Sequence, residues 1–222
     1  MLNGLFAPLA VMPKFAAVFA VFLVSFAAVS SAFSQTQKSK TIVFFGDSLT
    51  AGYGLDEPLS QAYPARIQEK IDAAHLPYKT VNAGLSGETT AGGLRRVDWI
   101  LRQPVDIFVL ALGGNDGLRG IEPSVSMANL QAIIDRVRAK NPNVKIILGG
   151  MMMPPSMGED YVRDFAAMYP ALATKNKIGF VPFLLQDVGG HADLNQADQI
   201  HPTAAGQRIV AENIWKVLQP LL

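Results

Sequence analysis

From residue 41 onward the chain alternates between two kinds of hydrophobic pattern. Thr41 to Phe45 reads TIVFF, a continuous apolar run of strand-forming residues stopped by Gly46. Similar runs recur at Thr80 to Ala83, Ile107 to Leu112, Val144 to Leu148 and around Ile178 to Phe183. Short runs without polar alternation predict parallel strands buried on both faces. Between them apolar residues recur every three or four positions: Tyr63, Ile67, Ile71 and Ala74; Leu94, Val97 and Leu101; Met127, Leu130, Ile134 and Val137; Val162, Phe165, Tyr169 and Leu172. A last such set, Ile209, Val210, Ile214 and Leu218, follows Pro202-Thr203. Each set predicts an amphipathic helix. The alternation predicts an α/β fold, a three-layer α/β/α sandwich with a five-stranded parallel sheet. Ligands of such sheets bind outside the carboxyl ends of the strands, so the residues directly after each apolar run matter most.

Residues 1–34 break this pattern. They carry no acid and one cation, Lys14, followed by an unbroken run of apolar and small residues from Phe15 to Val29. Small residues then stand at Ser30, Ala32 and Ser34, ahead of the polar stretch Gln35 to Lys40. This is the composition of a signal peptide cut after Ala32 or Ser34. The expected organisation is a leader over 1–34, a linker over 35–40 and one domain over 41–222, exported to the periplasm or secreted. A permanent N-terminal anchor is the competing reading, because Leu5 to Met12 is also apolar; Pro13 and Lys14 interrupt it.

Removing Lys14 with the leader leaves 18 basic against 18 acidic side chains. A neutral domain without a lysine- or arginine-rich run has no electrostatic footprint for nucleic acid or anionic membranes. The expected partner is a small, neutral or weakly charged molecule. Cysteine is absent, which excludes a thiol nucleophile, thiolate metal sites and disulfides.

The first apolar run ends in Gly46-Asp47-Ser48-Leu49, which puts a serine at a strand's carboxyl end. A serine hydroxyl is a weak nucleophile unless an imidazole takes its proton. Alone, this loop equally describes a helix capped by Asp47 or Ser48. Of the three histidines, His75 follows a helix with no carboxylate placed to orient it, and His191 lies on the polar loop Gly189 to Asp193. His201 differs: in Asp198-Gln199-Ile200-His201 a carboxylate three positions earlier can share its face, fix its tautomer and stabilise its charged form. Acyl transfer also needs donors for an oxyanion. Gly87, within Ser86-Gly87-Glu88-Thr89, offers an unhindered backbone N–H, and Asn115, within Gly113-Gly114-Asn115-Asp116, a side-chain amide. Both have plainer readings as turn formers.

These four blocks, in this order, resemble those of the SGNH, or GDSL, hydrolase family, over roughly Thr41 to Leu218. Within it the chain is most similar to the bacterial arylesterase, thioesterase and lysophospholipase subgroup. The resemblance implies a flavodoxin-like sandwich, Ser48 as nucleophile, and Asp198 and His201 completing the triad. It also implies an oxyanion hole made by the Ser48 N–H, the Gly87 N–H and the Asn115 amide. Met151-Met152-Met153-Pro154-Pro155 stands where the subgroup has a substrate-facing loop; by composition the methionines read as strand-end core. The implied reaction is hydrolysis of short- to medium-chain esters or thioesters, with no cofactor or metal. Alternatives are a carbohydrate O-deacetylase, although Trp99 and Trp215 fall in helical patterns that read as packing, and a non-catalytic acyl-binding protein. An α/β-hydrolase is excluded by the missing G-x-S-x-G elbow.

Overall fold

A computed structural model describes residues 39–222, together with Met1. The expected leader, its cleavage bond and most of the linker lie outside the described residues. Lys40, expected in the linker, opens the first strand.

The five expected strands form: β1 (Lys40–Gly46), β2 (Tyr78–Gly84), β3 (Ile107–Ala111), β4 (Lys145–Gly149) and β5 (Gly179–Val181). All pair in parallel, in the order β2-β1-β3-β4-β5. β1 and β3, central in the sheet, are buried along almost their whole length. β2 departs from the expectation of burial on both faces. It is an edge strand, paired only with β1, and Val81 is exposed. Its apolar run reads like a central strand because periodicity does not report how many neighbours a strand has.

The helices are α1 (Ser48–Ala51), α2 (Pro58–Gln61), α3 (Tyr63–Ala73), α4 (Thr90–Ile100), α5 (Gly114–Leu118), α6 (Pro123–Lys140), α7 (Glu159–Asn176) and α8 (Ala204–Leu218). The five long ones match the expected patterns. The others, of four or five residues, are too short to display a period. Adjacent residues of β1 point to opposite faces, as strand geometry requires. Phe44 meets the edge of Tyr63 on α3, with ring centroids 5.5 Å apart. Phe45 packs on Phe108 at 5.4 Å and lies under Gly93 of α4, where an added Cβ would come within 3.1 Å of its ring. α3 packs with α8 on the Phe44 side, and α4, α6 and α7 pack in succession on the other. Helices thus cover both faces.

Trp99 corrects an expectation. It is 63% exposed, two positions past buried Val97 and so on the solvent side of α4. Trp215 packs against the core as expected and carries the Lys70 ammonium 5.8 Å from its ring centroid.

The register prepares the site. Gly46 pairs with Gly84 on one side and Ala111 on the other, so β1, β2 and β3 end in one row. The segments that follow, with Ser48, Gly87 and Asn115, leave the sheet side by side at the point where strand order reverses.

Candidate active site

Ser48 begins α1 directly after β1, and Asp47 caps that helix by accepting from the Leu49 N–H at 3.0 Å. The capping reading and the nucleophile reading of this loop are therefore compatible: Asp47 caps while Ser48 points into the cleft. Gly46 is required there, because a Cβ would overlap the Thr50 hydroxyl at 2.0 Å. A hydrogen-bond network, buried at Thr50, Tyr63 and Gln207, fixes the turn. The Thr50 and Tyr63 hydroxyls are 2.6 Å apart, Asn82 donates to the Thr50 carbonyl at 2.8 Å, and Gln207 of α8 donates to the Leu49 carbonyl at 3.2 Å.

His201 and Asp198 lie in a turn before α8 rather than on a helix, with Gln199 at a left-handed φ of 58°. The turn lets one carboxylate work twice. Its Oδ1 accepts from the Ile200 and His201 backbone N–H groups at 2.9 and 3.0 Å, and its Oδ2 lies 2.6 Å from His201 Nδ1. The His201 backbone N–H, then its ring, hold the Asp198 carboxyl down at about 2. An ionised Asp198 can only accept, so Nδ1 carries the proton and Nε2 faces outward with a lone pair. Nε2 lies 2.8 Å from Ser48 Oγ. Tyr53 packs on the other side of the imidazole, with centroids 4.8 Å apart. Ser48, His201 and Asp198 form one hydrogen-bonded chain that can carry a proton away from an attacking hydroxyl.

The donor side is built by the segments after β2 and β3. Leu85 N–H donates to the Gly46 carbonyl at 3.0 Å, and Gly87 has a φ of 78°, a conformation that favours glycine. Neither the Ser48 nor the Gly87 N–H has an acceptor among the described residues, as an anion-binding pair requires. Asn115 sits in the first turn of α5 and is not its cap. Its Nδ2 donates to the Glu88 carbonyl at 3.1 Å and to Asp47 Oδ2 at 3.3 Å. The contact to Asp47 is the longer and weaker of the two.

Two buried carboxylates hold this side together: Asp116, for which the sequence indicates no task, and Asp47, which it offers only as a helix cap. Asp116, fully buried, accepts from the Thr90 N–H at 2.8 Å, the Thr90 hydroxyl at 2.5 Å and the Ser126 hydroxyl at 3.1 Å, tying the Gly87 loop to α5. Asp47 is buried too, and burial raises its carboxyl to about 6 against the opposing pull of its hydrogen bonds. Only their burial between two loops marks them, and spacing carries no such signal.

Beside Ser48 opens a cavity of about 500 Å³, lined chiefly by apolar side chains including Leu118, Met152, Pro154, Phe183 and Ile200. The strand-end reading of the methionines holds for Met151 and Met153, which are 8% and 7% exposed, with Met153 packed on Gly117. It fails for Met152, which is 50% exposed on the cavity rim with Leu118 and Ile200. His75 and His191 are exposed and line no part of this cavity. Among the described residues, no group of three or more histidine and carboxylate side chains is arranged to hold a metal ion.

The GDSL-like lipase/acylhydrolase family model matches residues 44–209. Esterase TesA of Pseudomonas aeruginosa is 40% identical over 190 residues, which is 85% of this chain and 92% of that protein. A thioesterase/protease/lysophospholipase of Escherichia coli is 36% identical over 82% of this chain and 85% of its own length. An arylesterase of Vibrio mimicus is 32% identical over 83% and 91%. A crystal structure of TesA superimposes with a TM-score of 0.78, covering 82% of this chain and all of that one. With its strand order, its four sequence blocks and these matches, the chain belongs to the GDSL, or SGNH, hydrolase family and is a carboxylic ester hydrolase.

Proposed function

We propose that the chain cleaves short- to medium-chain esters and thioesters, including aryl esters and lysophospholipids, through an acyl-enzyme on Ser48. The observation that carries this reading is the Ser48, His201 and Asp198 chain opening onto an apolar cavity. Ser48 Oγ attacks the acyl carbon and passes its proton to His201 Nε2. The charge that develops on the carbonyl oxygen falls between the Ser48 N–H, the Gly87 N–H and the Asn115 amide. As the bond from carbon to the leaving oxygen or sulfur breaks, Nε2 returns the proton to that atom. Water repeats the sequence on the ester of Ser48, giving up one proton to Nε2, and releases the acid and the free serine. Asp198 stays ionised throughout, holding the ring and its charge.

Relatives carrying esterase, thioesterase, lysophospholipase and arylesterase names support this range of leaving groups. The apolar lining supports an alkyl acyl group over a sugar, because Phe183 is the one carbon-ring aromatic among the cavity residues. The test is a panel of p-nitrophenyl acyl esters, acyl-CoAs, lysophospholipids and acetylated glycans offered to the purified domain. A preference for acetylated glycans over every alkyl ester would overturn the reading. We also propose export, from the composition of residues 1–34; N-terminal sequencing of protein recovered outside the cytoplasm tests it, with Phe33 or Gln35 expected first.

A further inference from the structure

The oxyanion donors border two depressions of opposite character. Ser48 and Asn115 line the apolar cavity, whose walls hold no lysine or arginine. Gly87 and Glu88 line a second, open cleft of about 480 Å³, together with Arg95, Arg96 and Arg119. The hydrogen bond from Asn115 Nδ2 to the Glu88 carbonyl joins the two. Within the cleft, Arg96 is committed: its Nε donates to Glu88 Oε1 at 2.9 Å, and its guanidinium lies 4.3 Å from the centroid of Phe45. Arg95 and Arg119 are exposed and have no carboxylate partner among the described residues. Arg119 reaches back over the loop and donates to the Gly87 carbonyl at 3.1 Å. Three guanidinium groups against one carboxylate leave the cleft with two net positive charges.

We propose that this cleft receives the leaving group, and that it selects alcohols bearing a phosphate or phosphodiester a few bonds from the reacting oxygen. The inference rests on the ester-hydrolase reading above and adds which leaving groups within that range are favoured and which residues select them. At the tetrahedral carbon, one substituent is Ser48 Oγ, one is the oxyanion, and the acyl chain takes the apolar cavity. The remaining substituent leaves toward the other depression that the donors border. A planar guanidinium binds phosphate oxygens through paired N–H groups, and two such groups without carboxylate partners in one cleft supply donors for a phosphate. An acylated glycerophosphate fits across both depressions, tail in one and phosphate in the other. An acyl-CoA fits the second less well, because its phosphates lie at the end of the long pantetheine arm.

The test compares octanoylglycerol with octanoylglycerol phosphate, which share acyl chain and scissile bond, on the parent, Arg95→Gln and Arg119→Gln. The readout is the ratio of kcat/KM for the phosphate ester to that for the neutral ester. Any disturbance of Gly87 on losing Arg119 affects both substrates and cancels in the ratio. Each substitution is expected to lower the ratio about five- to tenfold, the range for a partly solvated charge-assisted hydrogen bond. Raising the salt concentration is expected to lower the parent's ratio and to affect the variants less. An unchanged ratio in both variants would overturn the proposal. So would a loss confined to octanoyl-CoA, which would assign the arginines to phosphates on a long arm. If the parent hydrolyses neither glycerol ester yet cleaves p-nitrophenyl octanoate, the leaving-group assignment fails; if it cleaves none of the three, the ester-hydrolase reading fails.

Discussion

Ser48 Oγ and His201 Nε2 lie 2.8 Å apart in space and 153 positions apart in the chain. Ser48→Ala removes the atom attacked from and leaves the core untouched, so hydrolysis is expected to vanish with no loss of thermal stability. A fluorophosphonate should label Ser48 alone, as read by peptide mass spectrometry. Labelling at Ser86 would assign the chemistry elsewhere. Combining Ser48→Ala with His201→Ala is expected to add little, because residues that act as one unit are not additive.

Asp198→Asn keeps the size of the side chain but lets it donate as well as accept. The ring is then free to take the tautomer that points an N–H at Ser48. The expected loss in kcat is at least ~10²-fold, by analogy with other triads. The variant should also lose an acid-stability dependence. Because the folded pKa of Asp198 is depressed to about 2, its stabilisation is present above the ordinary carboxylate range and disappears as pH falls through about 2. Since Asp198 is largely solvent-facing, the effect on unfolding between pH 4 and pH 2 is expected to be small but measurable by chemical denaturation.

Asp47 has the opposite sign. Its folded pKa, about 6, lies above that of the unfolded chain, so folding favours the protonated form. The stability this group contributes is complete below about pH 4 and is lost as pH rises through about 6. Relative to Asp47→Asn, the parent should lose on the order of 3 kcal/mol between pH 4 and pH 7. In the same variant an amide at position 47 presents N–H groups to either Leu49 or Asn115, both of which are donors. A fall in kcat of about tenfold or more, with a smaller change in KM, is expected; unaltered kcat would make Asp47 a helix cap only.

Met152 stands on the cavity rim while its neighbours Met151 and Met153 are packed. Met152→Ala is expected to reduce kcat/KM for an octanoyl ester about three- to tenfold and for an acetyl ester little, since only the longer chain reaches it, at roughly 0.8 kcal/mol per methylene buried. Equal losses on both substrates, read from p-nitrophenyl esters, would place its role in folding.

β1 and β3 were legible because both faces of each are covered, which gives a run without polar interruption. The same logic misjudged Val81, where β2 has a neighbour on one side only. The hydrogen-bonded grouping of Ser48, His201 and Asp198 was legible because serine, aspartate and histidine have few chemical uses in that pattern. Asp47 was legible as a helix cap but not in its contact with Asn115, and Asp116 was not legible at all, since a carboxylate's task depends on which donors the fold brings to it, and Thr90 and Ser126 reach Asp116 from different helices. Net charge misled in another way. A total of 18 against 18 describes residues 35–222, yet Arg95 and Arg119 line one cleft whose only carboxylate is Glu88.

Gln207 holds both the Leu49 carbonyl and, at 2.9 Å, the Tyr63 N–H. The turn that carries Ser48 is therefore braced by the same late segment that delivers His201. While a ribosome has yet to release the stretch from His201 to Leu218, Ser48 has no proton acceptor, and the turn that aims it lacks its clamp. The hydrogen bond to Ser48 and the clamp on its turn thus both depend on α8 and the turn before it being in place.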